Sequence, residues 1–157
     1  MGELVIGDPA PAFELPATGG KTISSRDMLG RNYVLYFYPR DNTPGCTTEG
    51  QEFRDHYQSF KAVHTEILGV SRDGVATHER FKEKHGFPFD LLSDLDETVC
   101  RRYGVIREKN MYGRKVMGIE RSTFIIDREG ILREAWRKVR VRGHVEEVLS
   151  SVQTLFL

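Results

Sequence analysis

Cysteine is scarce in this chain: of 157 residues only Cys46 and Cys100 carry a thiol. Two cysteines exclude a multi-disulfide scaffold, and their separation matches no zinc-ligand spacing. Long hydrophobic runs are missing too. Nowhere do about 18 apolar residues come together, so no membrane-spanning helix is expected. Met1 to Gly7 has no basic region followed by an apolar stretch, which argues against a secretory leader and for a cytoplasmic setting. There the two thiols are expected to be reduced. No glycine-rich phosphate loop or dinucleotide fingerprint occurs, which argues against a bound flavin or nicotinamide. The five histidines, His56, His64, His78, His85 and His144, show no metal-ligand spacing. Neither a cofactor nor a metal is therefore expected.

Net charge is absent as well, since 23 basic side chains offset 23 acidic ones. The balance is uneven along the chain: residues 1–97 hold 10 basic and 16 acidic side chains, and residues 98–157 hold 13 and 7. The basic stretch lacks the aromatic interleaving of a nucleic-acid stacking platform, so no nucleic-acid partner is expected. It reads as solvated surface, part of it available to an anionic active site. Without repeats, low-complexity segments or linkers, residues 1–157 fit one domain able to bury an ordinary core.

What is present is an alternation of strand and helix signals. Phe13–Leu15 and Lys21–Ile23, separated by Ala17-Thr18-Gly19-Gly20, read as a short hairpin. Ser24 or Ser25 can cap a brief turn through Met28, closed by Gly30. Residues 33–38 form the most strand-like run, and Glu66–Ser71 a second buried strand. Cys46, Gly50, Phe53, Tyr57 and Phe60 share one face of a helix. Asp73–His85 reads as a helix ended by Gly86, and Asp96–Tyr103 as a helix capped by Asp96 and stopped at Gly104. Residues 107–120, polar and punctuated by glycine, read as the long loop. Thr123–Ile126 and Ile131–Trp136 flank Asp127-Arg128-Glu129-Gly130, a hairpin signal. His144–Phe156 is a final amphipathic helix with Val145, Val148, Leu149 and Val152 inward, and Trp136 is assigned to the core. This order suits an α/β fold of the thioredoxin kind, with a mixed sheet covered by helices on both faces and an N-terminal hairpin.

The stretch that carries chemistry is Pro39-Arg40-Asp41-Asn42-Thr43-Pro44-Gly45-Cys46-Thr47-Thr48-Glu49, between the first buried strand and the helix after it. Helix construction explains part of it: Thr43 at the N-cap with its side-chain oxygen accepting the Cys46 N–H, and Pro44 at the first helical position. Helix construction does not explain a thiol in the first turn. Unpaired backbone N–H groups at a helix start favour a thiolate over a thiol, so Cys46 reads as a nucleophile.

The spacing Pro39, Thr43, Cys46 resembles the P-x-x-x-T-x-x-C signature of peroxiredoxins. Tyr36-Phe37-Tyr38-Pro39 with Thr43-Pro44-Gly45-Cys46-Thr47 is similar to the bacterioferritin comigratory protein subfamily. Met117-Gly118-Ile119-Glu120-Arg121-Ser122-Thr123-Phe124 resembles that subfamily's segment bearing its active-site arginine. Trp136-Arg137-Lys138-Val139-Arg140-Val141-Arg142-Gly143-His144-Val145 is similar to its C-terminal strand and helix. The similarity runs from about Asp8 to the end of the chain.

The resemblance implies a thiol-dependent peroxidase acting on hydrogen peroxide and small organic hydroperoxides. Cys46 would be the peroxidatic thiolate, Thr43 a hydroxyl that hydrogen-bonds the peroxide, Arg121 the guanidinium that steadies developing charge, and Pro39 a wall that excludes water. Each donor is worth about 2.7–4 kcal/mol if it acts as oxyanion-hole donors do. Glu49, one turn into the helix, would orient Arg121, although a carboxylate near a helix start is explained by its dipole alone. One departure stands out. Gln51 occupies the position at which many members of the subfamily carry a resolving cysteine, and residues 73–86 contain none. Cys100 reads as a small buried hydrophobe rather than a resolving thiol. The expectation is a one-cysteine cycle completed by an external thiol, such as glutathione with glutaredoxin or thioredoxin, in a monomer or weak dimer. The competing readings are a thiol-disulfide oxidoreductase, which lacks its C-x-x-C pair, a cysteine hydrolase, which lacks a nominated base, and a redox sensor or thioredoxin-like interaction module without turnover.

Overall fold

The computed structural model describes residues 4–157. Its elements, in chain order, are β1 (Glu14–Ala17), β2 (Lys21–Ser24), β3 (Asn32–Phe37), α1 (Pro44–Asp55), α2 (Tyr57–Ala62), β4 (Thr65–Ser71), α3 (Val75–His85) and β5 (Asp90–Ser93). They continue with α4 (Thr98–Arg102), β6 (Ile106–Met111), β7 (Arg114–Ile119), β8 (Ser122–Ile126), β9 (Leu132–Trp136) and α5 (His144–Phe156). Seven strands make one sheet in the order β2-β1-β5-β4-β3-β8-β9. The inner strand β3 runs parallel to β4 and antiparallel to β8, so the sheet is mixed.

Strand β3 explains why the sheet has a core on each side. Successive side chains of a strand point to opposite faces. Tyr33, Leu35 and Phe37 enter a core with Leu68, Val70, Tyr103 and Phe124, while Val34, Tyr36 and Tyr38 enter another with Phe53, Phe60, Phe81, Val145 and Val148. A strand buried on both faces must be apolar throughout, hence the unbroken run Tyr33 to Tyr38. Helices α1, α2, α3 and α5 supply side chains to the second core, and α4 with the N-terminal Phe13 and Leu15 to the first. This is the thioredoxin-like arrangement expected, N-terminal hairpin included. Among the described residues no helix is long and apolar enough to cross a membrane.

Three local expectations are corrected. Residues 107–120 are not a loop but the hairpin β6–β7, six paired positions from Ile106↔Ile119 to Met111↔Arg114. Its turn, Tyr112-Gly113, has both φ values positive, 53° and 79°, as a tight type I′ turn requires. Among the described residues the two strands pair only with each other, and they bury few side chains, so no apolar alternation announces them. The helix from Pro44 breaks at His56 into α1 and α2, although the inward stripe of Cys46, Gly50, Phe53 and Phe60 is kept. The start of α4 is served by Asp94 rather than Asp96: the N-cap position is Glu97, the Asp94 carboxylate accepts the N–H groups of Val99 and Cys100, and Asp96 accepts that of Thr98.

Gly50 marks a close approach of α1 to the second core. A β-carbon there would lie 2.4 Å from Cζ of the buried Phe87. Alanine gains about 1 kcal/mol of helix propensity over glycine, whereas forcing extra volume into a packed core costs about 1–3 kcal/mol. Gly50→Ala is therefore expected to lower the melting temperature, and pairing it with Phe87→Leu to restore part of the loss. An unchanged or higher Tm for Gly50→Ala alone would show that Phe87 yields freely.

Candidate active site

The thiol sits where the end of β3 turns into α1. Thr43 occupies the N-cap in extended conformation, Pro44 and Gly45 follow, and Cys46 lies in the first turn. The predicted side-chain cap does not form: Thr43 Oγ1 donates to the Arg40 carbonyl at 2.8 Å instead, and the Thr43 carbonyl accepts from the Thr47 N–H. Pro39 is half-buried in the same turn. Cys46 is 2% exposed.

Strand β8 brings the cation. Because Phe37 at the end of β3 pairs with Ser122 at the start of β8, residue 121 projects beside the head of α1. Arg121 Nη2 lies 3.5 Å from Cys46 Sγ, and its Nη1 donates to Glu49 Oε1 at 2.6 Å. A β-carbon on residue 45 would stand 3.1 Å from that Nη2, so Gly45 leaves the guanidinium its seat. Burial alone would lower the Arg121 pKa, but Glu49 and Cys46 reverse the effect and raise it. Glu49 is wholly buried, and its Oε2 has no hydrogen-bond partner among the described residues. Burial raises its carboxyl from the ordinary 4.5 to about 7, with Arg121 opposing.

The residues expected to act together are thus neighbours in part: Cys46, Arg121 and Glu49 are in contact, and Thr43 and Pro39 form the turn just before them. Cys100 is elsewhere. It belongs to the first core, across the sheet from Cys46 in the second, and both thiols are free. Burial, with the Asp94 carboxylate beside it, pushes the Cys100 thiol far up. Two neighbours were not legible as site residues. His144, expected only to begin α5, is held by Thr123 Oγ1 at 2.7 Å, and burial together with Arg121 lowers it to about 4, leaving a neutral ring. Lys109, inside the supposed loop, is half-buried on β6 with its stem across Gly118, and burial, with Arg121 adding to it, lowers its pKa.

The model of the AhpC/TSA family matches residues 6–135. The chain belongs to that family. It is similar to peroxiredoxin Bcp of Xanthomonas campestris, 49% identical over 155 residues covering 98% of this chain and 97% of the relative. Peroxiredoxin Bcp of Bacillus subtilis is 47% identical over 150 residues, 96% of each chain. Among solved structures, a peroxiredoxin Q variant of Xylella fastidiosa superposes with a TM-score of 0.92 at 43% identity, covering 98% of both chains. The X. campestris bacterioferritin comigratory protein, described for its alkyl peroxide reduction activity, superposes with a TM-score of 0.88 at 48% identity over 92% of both. As a peroxiredoxin of this kind the chain is a thiol-dependent peroxidase, which takes a hydroperoxide and a reducing thiol.

The buried carboxyl gives this peroxiredoxin a pH signature. Between about pH 4.5 and 7 the folded chain keeps a proton on Glu49 that the unfolded chain has released, so stability falls as pH rises through that window. A shift of this size corresponds to about 3 kcal/mol. Glu49→Gln removes the titrating group. Urea unfolding from pH 4 to 8 is expected to show this decline in the parent protein and a flatter profile in the variant; equal slopes would mean that Glu49 does not hold its proton.

Proposed function

We propose that Cys46 is the peroxidatic nucleophile of this thiol peroxidase and that Arg121, Thr43, Pro39 and Glu49 complete its site. The observation that carries the reading is the guanidinium of Arg121, which reaches both Cys46 Sγ and Glu49. In the step this supports, the Cys46 thiolate attacks the terminal oxygen of the hydroperoxide. The S–O bond forms as the O–O bond breaks, sulfur is oxidised to a sulfenic acid, and the other oxygen departs as alkoxide or hydroxide and takes up a proton. Negative charge passes from sulfur to the leaving oxygen, along a path that Arg121 and the first backbone N–H groups of α1 can stabilise. Thr43 spends its hydrogen on the Arg40 carbonyl, which leaves its oxygen lone pairs to accept from the peroxide O–H. Pro39, with no N–H, adds an apolar wall, and Glu49 steadies the guanidinium.

Hydrogen peroxide and small alkyl hydroperoxides are the substrates we infer, the second class on the likeness to the X. campestris protein. The sulfenic acid is resolved by an external thiol, glutathione with glutaredoxin or thioredoxin. Supporting this, Gln51 stands where an internal partner could have been, and Cys100 lies across the sheet, where bonding would require its Cα within about 7 Å of that of Cys46. The same reading takes the chain as one domain, working as a monomer in a reducing cytoplasm.

Cys46→Ser is expected to abolish peroxide consumption under excess thiol, and Cys100→Ser to retain it. Replacing Arg121 by Met is expected to lower turnover about 10²–10³-fold, as loss of an oxyanion-hole donor does. Intact-mass measurement after one equivalent of peroxide, with a sulfenic-acid trap, should find the trapped adduct on Cys46. A Cys46–Cys100 disulfide would overturn the one-cysteine cycle, and a single stoichiometric oxidation without turnover would identify a sensor instead.

A further inference from the structure

Beneath the turn that leads into α1 runs a chain of buried polar groups that peroxide reduction, as derived above, leaves without a task. His78, in α3, is wholly buried, as is the side chain of Asp41. The ring is pinned at both nitrogens: Nε2 lies 2.8 Å from the Leu92 carbonyl of β5, and Nδ1 lies 2.6 Å from Asp41 Oδ2. A carbonyl can only accept, so Nε2 carries a hydrogen, and a second proton must lie between Nδ1 and the Asp41 carboxyl. Asp41 Oδ1 accepts the Tyr38 hydroxyl at 2.5 Å. Its backbone N–H donates to Asp73 Oδ2, which also accepts from Ser71 Oγ. Asp41 is therefore fixed through both side chain and main chain.

The residues on either side show what this fixing accomplishes. The Arg40 carbonyl, one residue before Asp41, is the acceptor that orients the Thr43 hydroxyl. Asn42, one residue after, takes a left-handed conformation at φ 64°, which asparagine tolerates in turns, and so reverses the chain just before Thr43. A packing role alone does not call for such a cluster, because well-packed apolar side chains of similar volume often stabilise a core as well as a buried polar pair does. What the polar pair provides and apolar packing does not is a single fixed direction.

We propose that His78 is a positioning residue for peroxide reduction: it locks Asp41, and with it the Arg40 carbonyl that aims the Thr43 hydroxyl at the incoming peroxide. The inference rests on the role assigned to Thr43 above. Imidazole on α3 thereby acts on the reaction without touching substrate.

The test compares two reactions of the same sulfur. Oxidation of Cys46 by hydrogen peroxide requires the Thr43 hydroxyl, whereas its alkylation by iodoacetamide requires a thiolate but not that hydroxyl. His78→Gln is expected to slow oxidation about tenfold, in keeping with the rate cost of a small misplacement, while leaving the alkylation rate unchanged. Combined with Thr43→Val it should add nothing to the loss caused by Thr43→Val alone. Should His78→Gln fail to fold, Asp41→Asn, which conserves volume, is read by the same two rates. A wild-type oxidation rate in the folded variant, an equal fall in both rates, or additive losses with Thr43→Val would each overturn the proposal. Unimpaired oxidation in Thr43→Val itself would instead remove the assigned role of Thr43, separating that failure from this one.

Discussion

A guanidinium shared between a buried carboxyl and a thiol is the contact on which the proposed chemistry depends. Arg121 and Cys46 lie far apart in sequence, and nothing local draws them together. They meet because β8 crosses beside β3 with Phe37 opposite Ser122, so a slip of one residue in that pairing would turn the arginine to the other face. The two strands are among the most thoroughly buried in the molecule, and their apolar faces hold the register. Core packing thus sets the geometry of a polar site that contributes little packing itself.

Much of this was legible beforehand, for identifiable reasons. The apolar run Tyr33–Tyr38, the proline and glycine around Cys46 and the stripe through Phe53 and Phe60 are local signals, and the elements they announce are present. What could not be read was long-range. Among the described residues the hairpin β6–β7 pairs only with itself and shows no buried periodicity, so Lys109 went unrecognised along with it. The free N–H groups at the start of α4 went to Asp94, because a side chain two residues upstream of the expected cap reached them first. His78 and Asp41 each look ordinary in sequence, and only the packing of α3 against the active-site turn joins them.

The central sheet also separates the two thiols chemically. Cys46 shares its side with a cation and a helix start, whereas Cys100 is enclosed among Tyr103, Val105 and Phe124, beside the carboxylate of Asp94. One residue type has been given opposite surroundings. Burial and the Asp94 carboxylate suppress negative charge on the Cys100 sulfur, which in the proposed cycle keeps that thiol from competing for oxidant.

Gly45 has a different kind of importance. A β-carbon there would stand 3.1 Å from Nη2 of the arginine, so the end of that side chain would have to shift by a few tenths of an ångström, and the cation's seat depends on atoms being left out. Alanine would suit the helix better than glycine but would press on the guanidinium that reaches Cys46 and Glu49. An empty volume at residue 45 is thus as much a part of the proposed site as its sulfur, because it is what lets the guanidinium lie against the head of the helix.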